Sequence, residues 1–450
     1  MIPVYHVVPL ERFVVTTTVL DLAAGTSVLG SEDIPGCHPA TCRIGLLGLG
    51  NVGSAFARLA REASSSLASR GFTPVVATAL VRSVTRERSA QLSAQITDDH
   101  ETFFAEPVDV IVEALGGVEP AYTLVRRALD RGIPVVTANK SLIAAHGDEL
   151  ARLARRRGTA LRYEAACIAG VPFLGTFERR SLVARASGVT AILNGTSNYI
   201  LTTMTRGGSF EAALADAQRL GYAEPDPSMD VSGADAAEKL TILIRLFGRL
   251  LVDPAAIPLD GLASVEADDI AAAAAFDGAI RPVSRAAWDG TAIRAHVGPA
   301  FLTGTHALAR VAGVTNGVVI DAERGAQCYI GPGAGPDVTA ATLLDDVSEI
   351  VTERRVRTPP SDAVSAATAV TRPDSAWFLR LTGTARPSDI ADLLGSYGIW
   401  CTRLERRGDR VYALTCHAGQ ARIHTALDAV QAATGAAAAA FPALAEEAQS

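Results

Sequence analysis

The chain has 450 residues, 48% of them hydrophobic and 20% charged, which is ample apolar material for roughly two to four domains with their own cores. A net charge of −7 and a pI near 5.7 argue against nucleic acid or an anionic membrane as partner, and no apolar run approaches the ~18 residues that span a bilayer. The cysteines at 37, 42, 167, 328, 401 and 416 are scattered, without a C-x-x-C or a histidine at zinc-ligand spacing, and the start MIPVYHVVPLERFVV lacks the basic-then-apolar pattern of a secretory leader; both point to reduced thiols in a cytoplasm.

In chain order, residues 1–40 read as an extension in which 13–20 is strand-like and Gly, Ser and Pro dominate the remainder. From Thr41 a buried strand runs into Gly48-Leu-Gly50-Asn51-Val52-Gly53 and then a helix through Ala60. This G-x-G-x-x-G spacing gives a tight turn, lets the backbone approach a pyrophosphate, and turns a helix N-terminus towards the anion. A second strand, 74–81, ends at Arg82, with Arg86 and Arg88 beyond. An acid there would take the ribose hydroxyls of NAD, whereas arginine suits the 2′-phosphate of NADP; ordinary surface arginines are the other reading. Strand 108–115 ends at Gly116-Gly117, where the backbone can pass close to a cofactor. Helix 121–131, the strand-like run 133–140 (IPVVTANK) and helix 147–157 complete a rhythm that predicts a doubly wound parallel sheet.

The stretch 221–240, GYAEPDPSMDVSGADAAEKL, organises the middle of the chain. Glu224, Asp226, Asp230 and Asp235 precede Lys239; Pro225 and Pro227 delay the helix, which starts after Ser232-Gly233 and runs through ADAAEKLTILIRLF. Asp235 and Lys239 are four apart and share a face. The sequence holds only two lysines, Lys140 and Lys239, against thirty-nine arginines. Guanidinium stays protonated at any working pH, while an ammonium can be tuned into a proton donor or acceptor, so both lysines read as chemistry. His296 and His306 have no partner motif and read as core or surface residues. Beyond the GPGAG loop (331–335) and a helix to Ile350, residues 354–375 read as a linker, followed by strand, helix 388–397, two strands and a helix from Gln420.

VVTANK (135–140), ILNGTSNYIL (192–201) and the long acidic run ending in GADAAEKL together resemble the homoserine dehydrogenase family, over about residues 42–350 and through GPGAG. The resemblance implies an α/β chain with a Rossmann-type doubly wound nucleotide-binding domain (41–163), an α+β substrate and dimerisation domain (164–353, with 330–350 returning to the cofactor) and, at 376–445, a small ferredoxin-like domain similar to the ACT type. Strands and turns at 293–296 and 306–317 would belong to an oligomerising sheet, in a homodimer or homotetramer. It implies NAD(P)-dependent interconversion of aspartate 4-semialdehyde and homoserine. Lys239 and Lys140 would be catalytic with Asp235 orienting Lys239; Glu224 would hold the substrate ammonium and Asp230 the hydroxyl side, with Thr196, Gly195 and Tyr222 lining the pocket. Gly48, Gly50, Asn51, Val52, Gly53, Arg82, Gly116, Lys140 and Gly335 would hold NADP or NAD. A lysine of pKa about 10.4 is a mediocre acid at neutral pH, and two ammonium groups facing each other in a dry cleft are expected to lower each other's pKa.

Three departures from the family pattern stand out. Glu164, Cys167 and Ala169 lie where some members hold a monovalent cation such as sodium, yet Ile168 and Ala169 replace usual glycines, and a packed domain junction is the competing reading. Val338 replaces a usual proline. Arg386-Pro387-Ser388 replaces Arg-Pro-Gly, which favours a dimerising or vestigial C-terminal module over an effector site. A dehydrogenase of another small semialdehyde, a non-catalytic sensor of nucleotide or amino acid, and a complex-forming subunit are the alternatives; possession of both lysines and the whole acidic run counts against the last two.

Overall fold

The computed structural model describes residues 39–84, 94–179, 186–323, 325–352 and 364–445; the expected extension, its strand-like stretch at 13–20, and Arg86 and Arg88 lie outside them. Six strands, β1 (Ala40–Leu47), β2 (Phe72–Leu80), β3 (Gln95–Thr97), β4 (Val110–Glu113), β5 (Val135–Thr137) and β6 (Leu161–Arg162), form a parallel sheet in the order β3-β2-β1-β4-β5-β6. Its connections carry helices α1 (Asn51–Glu62), α2 (Ser64–Ala68), α3 (His100–Ala105), α4 (Ala121–Asp130) and α5 (Lys140–Arg157). Ile44, Leu46, Ile111, Val112, Val135 and Val136 are fully buried, as strands covered on both faces must be. Strand order reverses between β1 and β4, which opens a crevice at their carboxyl ends.

Helix α5 begins seven residues before the expected 147. Asn139 caps it, its side-chain oxygen accepting the amide of Leu142 at 3.1 Å, and Gly158 ends it in the left-handed region at φ 66°. The cap places Lys140 in the first helical turn, directly after a buried strand.

The second domain adds α6 (Leu174–Arg179), β7 (Ala186–Ile192), α7 (Gly195–Met204), α8 (Phe210–Arg219), α9 (Ser228–Ser232), α10 (Ala234–Leu243), β8 (Leu250–Leu251), α11 (Ala267–Ala275), β9 (Gly278–Asp289), β10 (Ala292–Thr303), β11 (Thr315–Ala322), β12 (Gln327–Pro332) and α12 (Pro336–Thr352). The run expected as one helix over 234–247 is α10 followed by a π turn, Ile244–Gly248. Helix α12 returns to the first domain: Ala340, Leu343 and Val347 share a core with Ile44, Phe56 and Val112.

The expected linker contains β13 (Ser365–Ala366) and β14 (Ala369–Thr371), which pair with β8 and β10. Next to them Arg372 grips Asp260 through two hydrogen bonds of 2.6 and 2.7 Å, and His296 reaches the same carboxylate at 2.8 Å. Then come β15 (Ala376–Thr382), α13 (Pro387–Ser396), β16 (Cys401–Arg407), β17 (Arg410–Thr415), α14 (Gln420–Thr434) and β18 (Ala437–Leu444), a β-α-β-β-α-β unit whose sheet runs β18-β15-β17-β16. The last strand was not expected from AAAAFPAL, which is poor in β-formers. It joins this sheet to β10 through Phe301–Ala443 and Leu302–Leu444, giving the order β12-β11-β7-β9-β10-β18-β15-β17-β16.

Side chains alternate across β15. Trp377, Leu379 and Leu381 pack with Ile390, Leu394, Ile423 and Val430 from α13 and α14, while Phe378 faces the second domain. The Phe378 ring lies 4.9 Å from Phe301, 5.4 Å from Phe276 and 5.7 Å from Tyr412. Replacing it by alanine empties the middle of this cluster, and the variant is expected to lose about 3–5 kcal/mol of stability in chemical denaturation.

Candidate active site

The turn after β1 is shaped for a close anion. Gly48 has φ 97°, and a Cβ on Gly53 would sit 2.1 Å from the Gly48 carbonyl oxygen, so neither tolerates a side chain. A Cβ on Gly50 would meet nothing within 4 Å, and as N-cap of α1 Gly50 leaves the first amides of that helix without a side-chain acceptor. Asn51 is exposed beside it and Val52 packs against the core. These residues fit a dinucleotide's pyrophosphate. Gly116, at φ 75°, lies at the end of β4, Gly335, at φ 123°, precedes α12, and Arg82 is exposed just past β2.

One residue that the sequence reading passed over organises this end of the sheet. Glu113 closes β4 fully buried, and burial pushes its carboxyl pKa up despite several donors. It accepts the Thr137 hydroxyl, the Leu115 amide at 2.7 Å and the Asn139 side chain at 3.3 Å, and Asn139 also donates to the Gly117 carbonyl at 2.6 Å. The ends of β4 and β5 are thereby tied together, and Lys140 leaves from the knot.

Lys140 and Lys239 converge on Asp235. The Lys140 Nζ is 3.1 Å from Asp235 Oδ1 and the Lys239 Nζ is 3.0 Å from Oδ2; the Asp235 side chain is 10% exposed. Lys239 also donates to the Leu193 carbonyl at 2.9 Å. Asn194, another residue missed in the sequence, completes the cluster. Its amide nitrogen donates to Asp235 Oδ2 at 2.8 Å and to Asp230 Oδ1 at 2.7 Å, while its oxygen caps α7 by accepting the Ser197 amide at 2.7 Å. The signal was present in Asn194-Gly195-Thr196-Ser197, which reads as an N-cap.

Burial alone would raise the Asp235 pKa, but Lys239, Lys140 and Asn194 outweigh it and hold the carboxyl at about 2. The magnitudes explain why. A charge pair at ~4 Å is worth on the order of 4 kcal/mol at an effective dielectric of about 20, and two such pairs exceed a desolvation penalty of several kcal/mol. The expected mutual lowering of the lysines is overturned for Lys140. Burial pulls its pKa down, but Asp235, with Glu238 and Asp230 beyond, moves it upward on balance. The carboxylate between the amines reverses the sign. Asp230 is raised by burial against its hydrogen bond from Asn194.

Of the remaining pocket candidates, Gly195 and Thr196 open α7 directly after Asn194, and Tyr222, Glu224 and Asp226 lie on the segment between α8 and α9. Thr196 donates to the Tyr222 carbonyl at 2.6 Å, and a Cβ on Gly195 would meet the Val314 carbonyl at 2.8 Å. Tyr222 is 44% exposed, with its ring 4.9 Å from Tyr199. Glu224 is exposed, and Asp226 accepts the Ser228 amide at 3.1 Å within the Pro-Asp-Pro turn. Behind α5, the buried Arg245 of the π turn donates to the Ile143 carbonyl at 3.0 Å and fills the space where a Gly147 side chain would go.

The side chains and backbone of the loop that carries Glu164, Cys167 and Ala169 make contacts of their own. The Glu164 carboxylate accepts the amides of Phe173, Leu174 and Gly175, each at 2.8 Å, and so caps α6. The Ala169 carbonyl accepts the Thr342 hydroxyl, and burial pushes the Cys167 thiol up to about 12. Among the described residues no group of three or more His, Cys, Asp or Glu could hold a metal ion. As folded, this loop is a domain junction. Behind it Asp346 accepts the Glu164 amide at 3.3 Å, and burial, with the Glu164 charge, raises its pKa well above the ordinary value. A carboxyl with a raised folded-state pKa adds stability below its unfolded pKa and loses it as pH rises through the folded value. Asp346→Asn keeps an acceptor for the Glu164 amide but cannot ionise. Its melting temperature is expected to exceed that of the wild type by about 2–4 °C at pH 8, with a flatter dependence between pH 5 and 8 by scanning calorimetry.

Comparison with known proteins identifies the family. Residues 172–348 match the family model for homoserine dehydrogenase, and 48–164 match the model for its NAD-binding domain. A homoserine dehydrogenase from Synechocystis sp. is 37% identical over 324 residues, 69% of this chain and 73% of the relative. The crystal structure of a homoserine dehydrogenase from Thiobacillus denitrificans superposes with a TM-score of 0.81 at 28% identity, covering 90% of this chain and 98% of that one. A hyperthermophilic archaeal homoserine dehydrogenase in complex with NADPH gives 0.58 at 27% identity, covering 69% and 98%. The chain belongs to the homoserine dehydrogenase family and is an oxidoreductase with a Rossmann-type NAD(P)-binding domain.

Proposed function

We propose that the two ammonium groups bridged by Asp235 form the pocket for the reacting oxygen in the interconversion of L-aspartate 4-semialdehyde and L-homoserine, with Lys239 exchanging the proton. The single observation that carries this reading is the convergence of Lys140 and Lys239, from different domains, on one buried carboxylate. Bound in the crevice, the nicotinamide cofactor supplies or accepts the hydride. Reduction builds negative charge on the carbonyl oxygen, so a preorganised cation and a proton donor there lower the barrier. Lys140, its pKa raised beside Asp235, remains an ammonium and serves as the fixed charge. An ammonium has three hydrogens; Lys239 directs one to Asp235 and one to Leu193, leaving a third for the substrate oxygen. In the oxidative direction the same amine takes the hydroxyl proton back.

Asp230, held by Asn194, takes the substrate on its hydroxyl side, and Glu224 takes the substrate ammonium, with Gly195, Thr196 and Tyr222 as the pocket wall. Gly48, Gly50, Asn51, Val52, Gly53, Gly116 and Gly335 hold the cofactor. Arg82 at the end of β2 favours NADP through its 2′-phosphate, in line with the NADPH complex of the archaeal relative. The β-α-β-β-α-β order of 376–445 supports a ferredoxin-like, ACT-type module, and Arg386-Pro387-Ser388 in place of a glycine-bearing loop favours a structural role for it. The enzyme works as a homodimer or homotetramer, a reading supported by the edge strand β12, where Cys328 and Ile330 are exposed. Its place is in threonine and methionine biosynthesis in the cytoplasm; none of the described helices is long and apolar enough to cross a membrane.

Lys239→Arg keeps the charge but removes the titratable group, and its kcat for NADP-dependent homoserine oxidation is expected to fall by about 10²–10⁴ with an unchanged melting temperature. An active Lys239→Arg enzyme would refute the proton-transfer role. Arg82→Ser is expected to raise KM for NADP about tenfold, a loss of roughly 1.4 kcal/mol, and to leave KM for NAD near its wild-type value in the same initial-rate assay.

A further inference from the structure

The two amines are not the only link between the helices that carry them. Ser141, next to Lys140 on α5, donates its hydroxyl to Glu238 Oε2 at 3.0 Å, and Glu238 stands next to Lys239 on α10. Glu238 lies three residues after Asp235, so the two carboxylates share the face of α10 that meets α5. Lys140–Asp235 and Ser141–Glu238 are therefore parallel ties between consecutive residues of one helix and one face of the other. A single ion pair sets a distance but lets a helix pivot about it; a second contact beside it also sets rotation. Ser141 and Glu238 are both only half-buried and belong to none of the apolar cores, so core packing does not account for their pairing. The α5–α10 junction is already held by apolar contact of Ile143 with Ile242 and by Arg245 on the Ile143 carbonyl.

We propose that Ser141 and Glu238 are positioning residues, the second point of a two-point clamp that holds Lys140 in register with Lys239 across the domain boundary. This rests on the reading in which both amines serve the reacting oxygen. Catalytic groups must be held within about 0.5 Å of productive geometry, and a displacement of ~1 Å can lower turnover by as much as 10². The clamp acts on turnover rather than on ligand affinity, because neither residue is placed against substrate or cofactor.

The test is a double-mutant cycle in the full-length enzyme, following kcat and KM for homoserine and NADP together with the melting temperature. Ser141→Ala and Glu238→Ala are each expected to lower kcat about tenfold with KM within about twofold. The double variant should be no slower than the worse single one, because both remove the same contact. Glu238→Gln keeps an acceptor for the Ser141 hydroxyl and is expected to retain at least about half of wild-type kcat. The proposal is overturned if both single variants stay within about twofold of wild type, if the losses multiply in the double variant, or if Glu238→Gln falls as far as Glu238→Ala. Lys239→Arg in the same assay separates the two readings. An inactive Lys239→Arg beside a fully active Glu238→Ala overturns the clamp alone, and an active Lys239→Arg removes the chemistry that the clamp would serve.

Discussion

A buried carboxylate between two ammonium groups is the constraint on which the rest of this site depends. Asp235 is nearly enclosed, and an ion taken out of water is tolerated only when its partners are close and well aligned. Burial works against the charge, and the two lysines with the Asn194 amide together outweigh it. The requirement reaches outward. Gly233, at φ 88°, closes α9 and opens α10, so Asp230 and Asp235 can both meet Asn194. Asn194 in turn starts α7, and Asn139 starts α5 with Lys140 in its first turn.

Because one amine comes from the cofactor sheet and the other from the second domain, the site exists only when the two domains are seated against each other. That seating is itself specific. Arg245 enters the groove left by Gly147, its guanidinium lies 5.3 Å from the Tyr163 ring, and the π turn that carries it follows directly on the helix of Lys239. The segment 164–175 reinforces the junction through Glu164, whose carboxylate is spent on three amides.

The C-terminal unit is bound in by different forces. Its sheet continues β10 through β18, and the face opposite its own helices meets β10 and the end of α11 through aromatic rings, Phe378 stacking on Phe301 and meeting Phe276 edge-on. Arg380 pairs with the fully buried Asp269 at 2.6 Å, next to Phe378 in the aromatic cluster. The same apolar cluster contains Ile200 and Leu201 of α7, the helix that Asn194 caps.

Much of the architecture could be read in the residues. The glycine spacing at 48–53, the apolar parallel strands and the pairing of a scarce lysine with a run of carboxylates all report local rules of period, turn and composition. Where a cap was hidden behind a strand, as at Asn139, or a strand was written in alanines, as in β18, local propensity misled and tertiary pairing won. By itself the sequence determined which side chains could do the chemistry, since scarcity singles out two titratable amines among permanent cations. Only the folded chain decided the charge state of Lys140. Lys140 and Asp235 are 95 residues apart, and a pKa is set by the charges and solvent within a few ångströms in space, which no local pattern encodes.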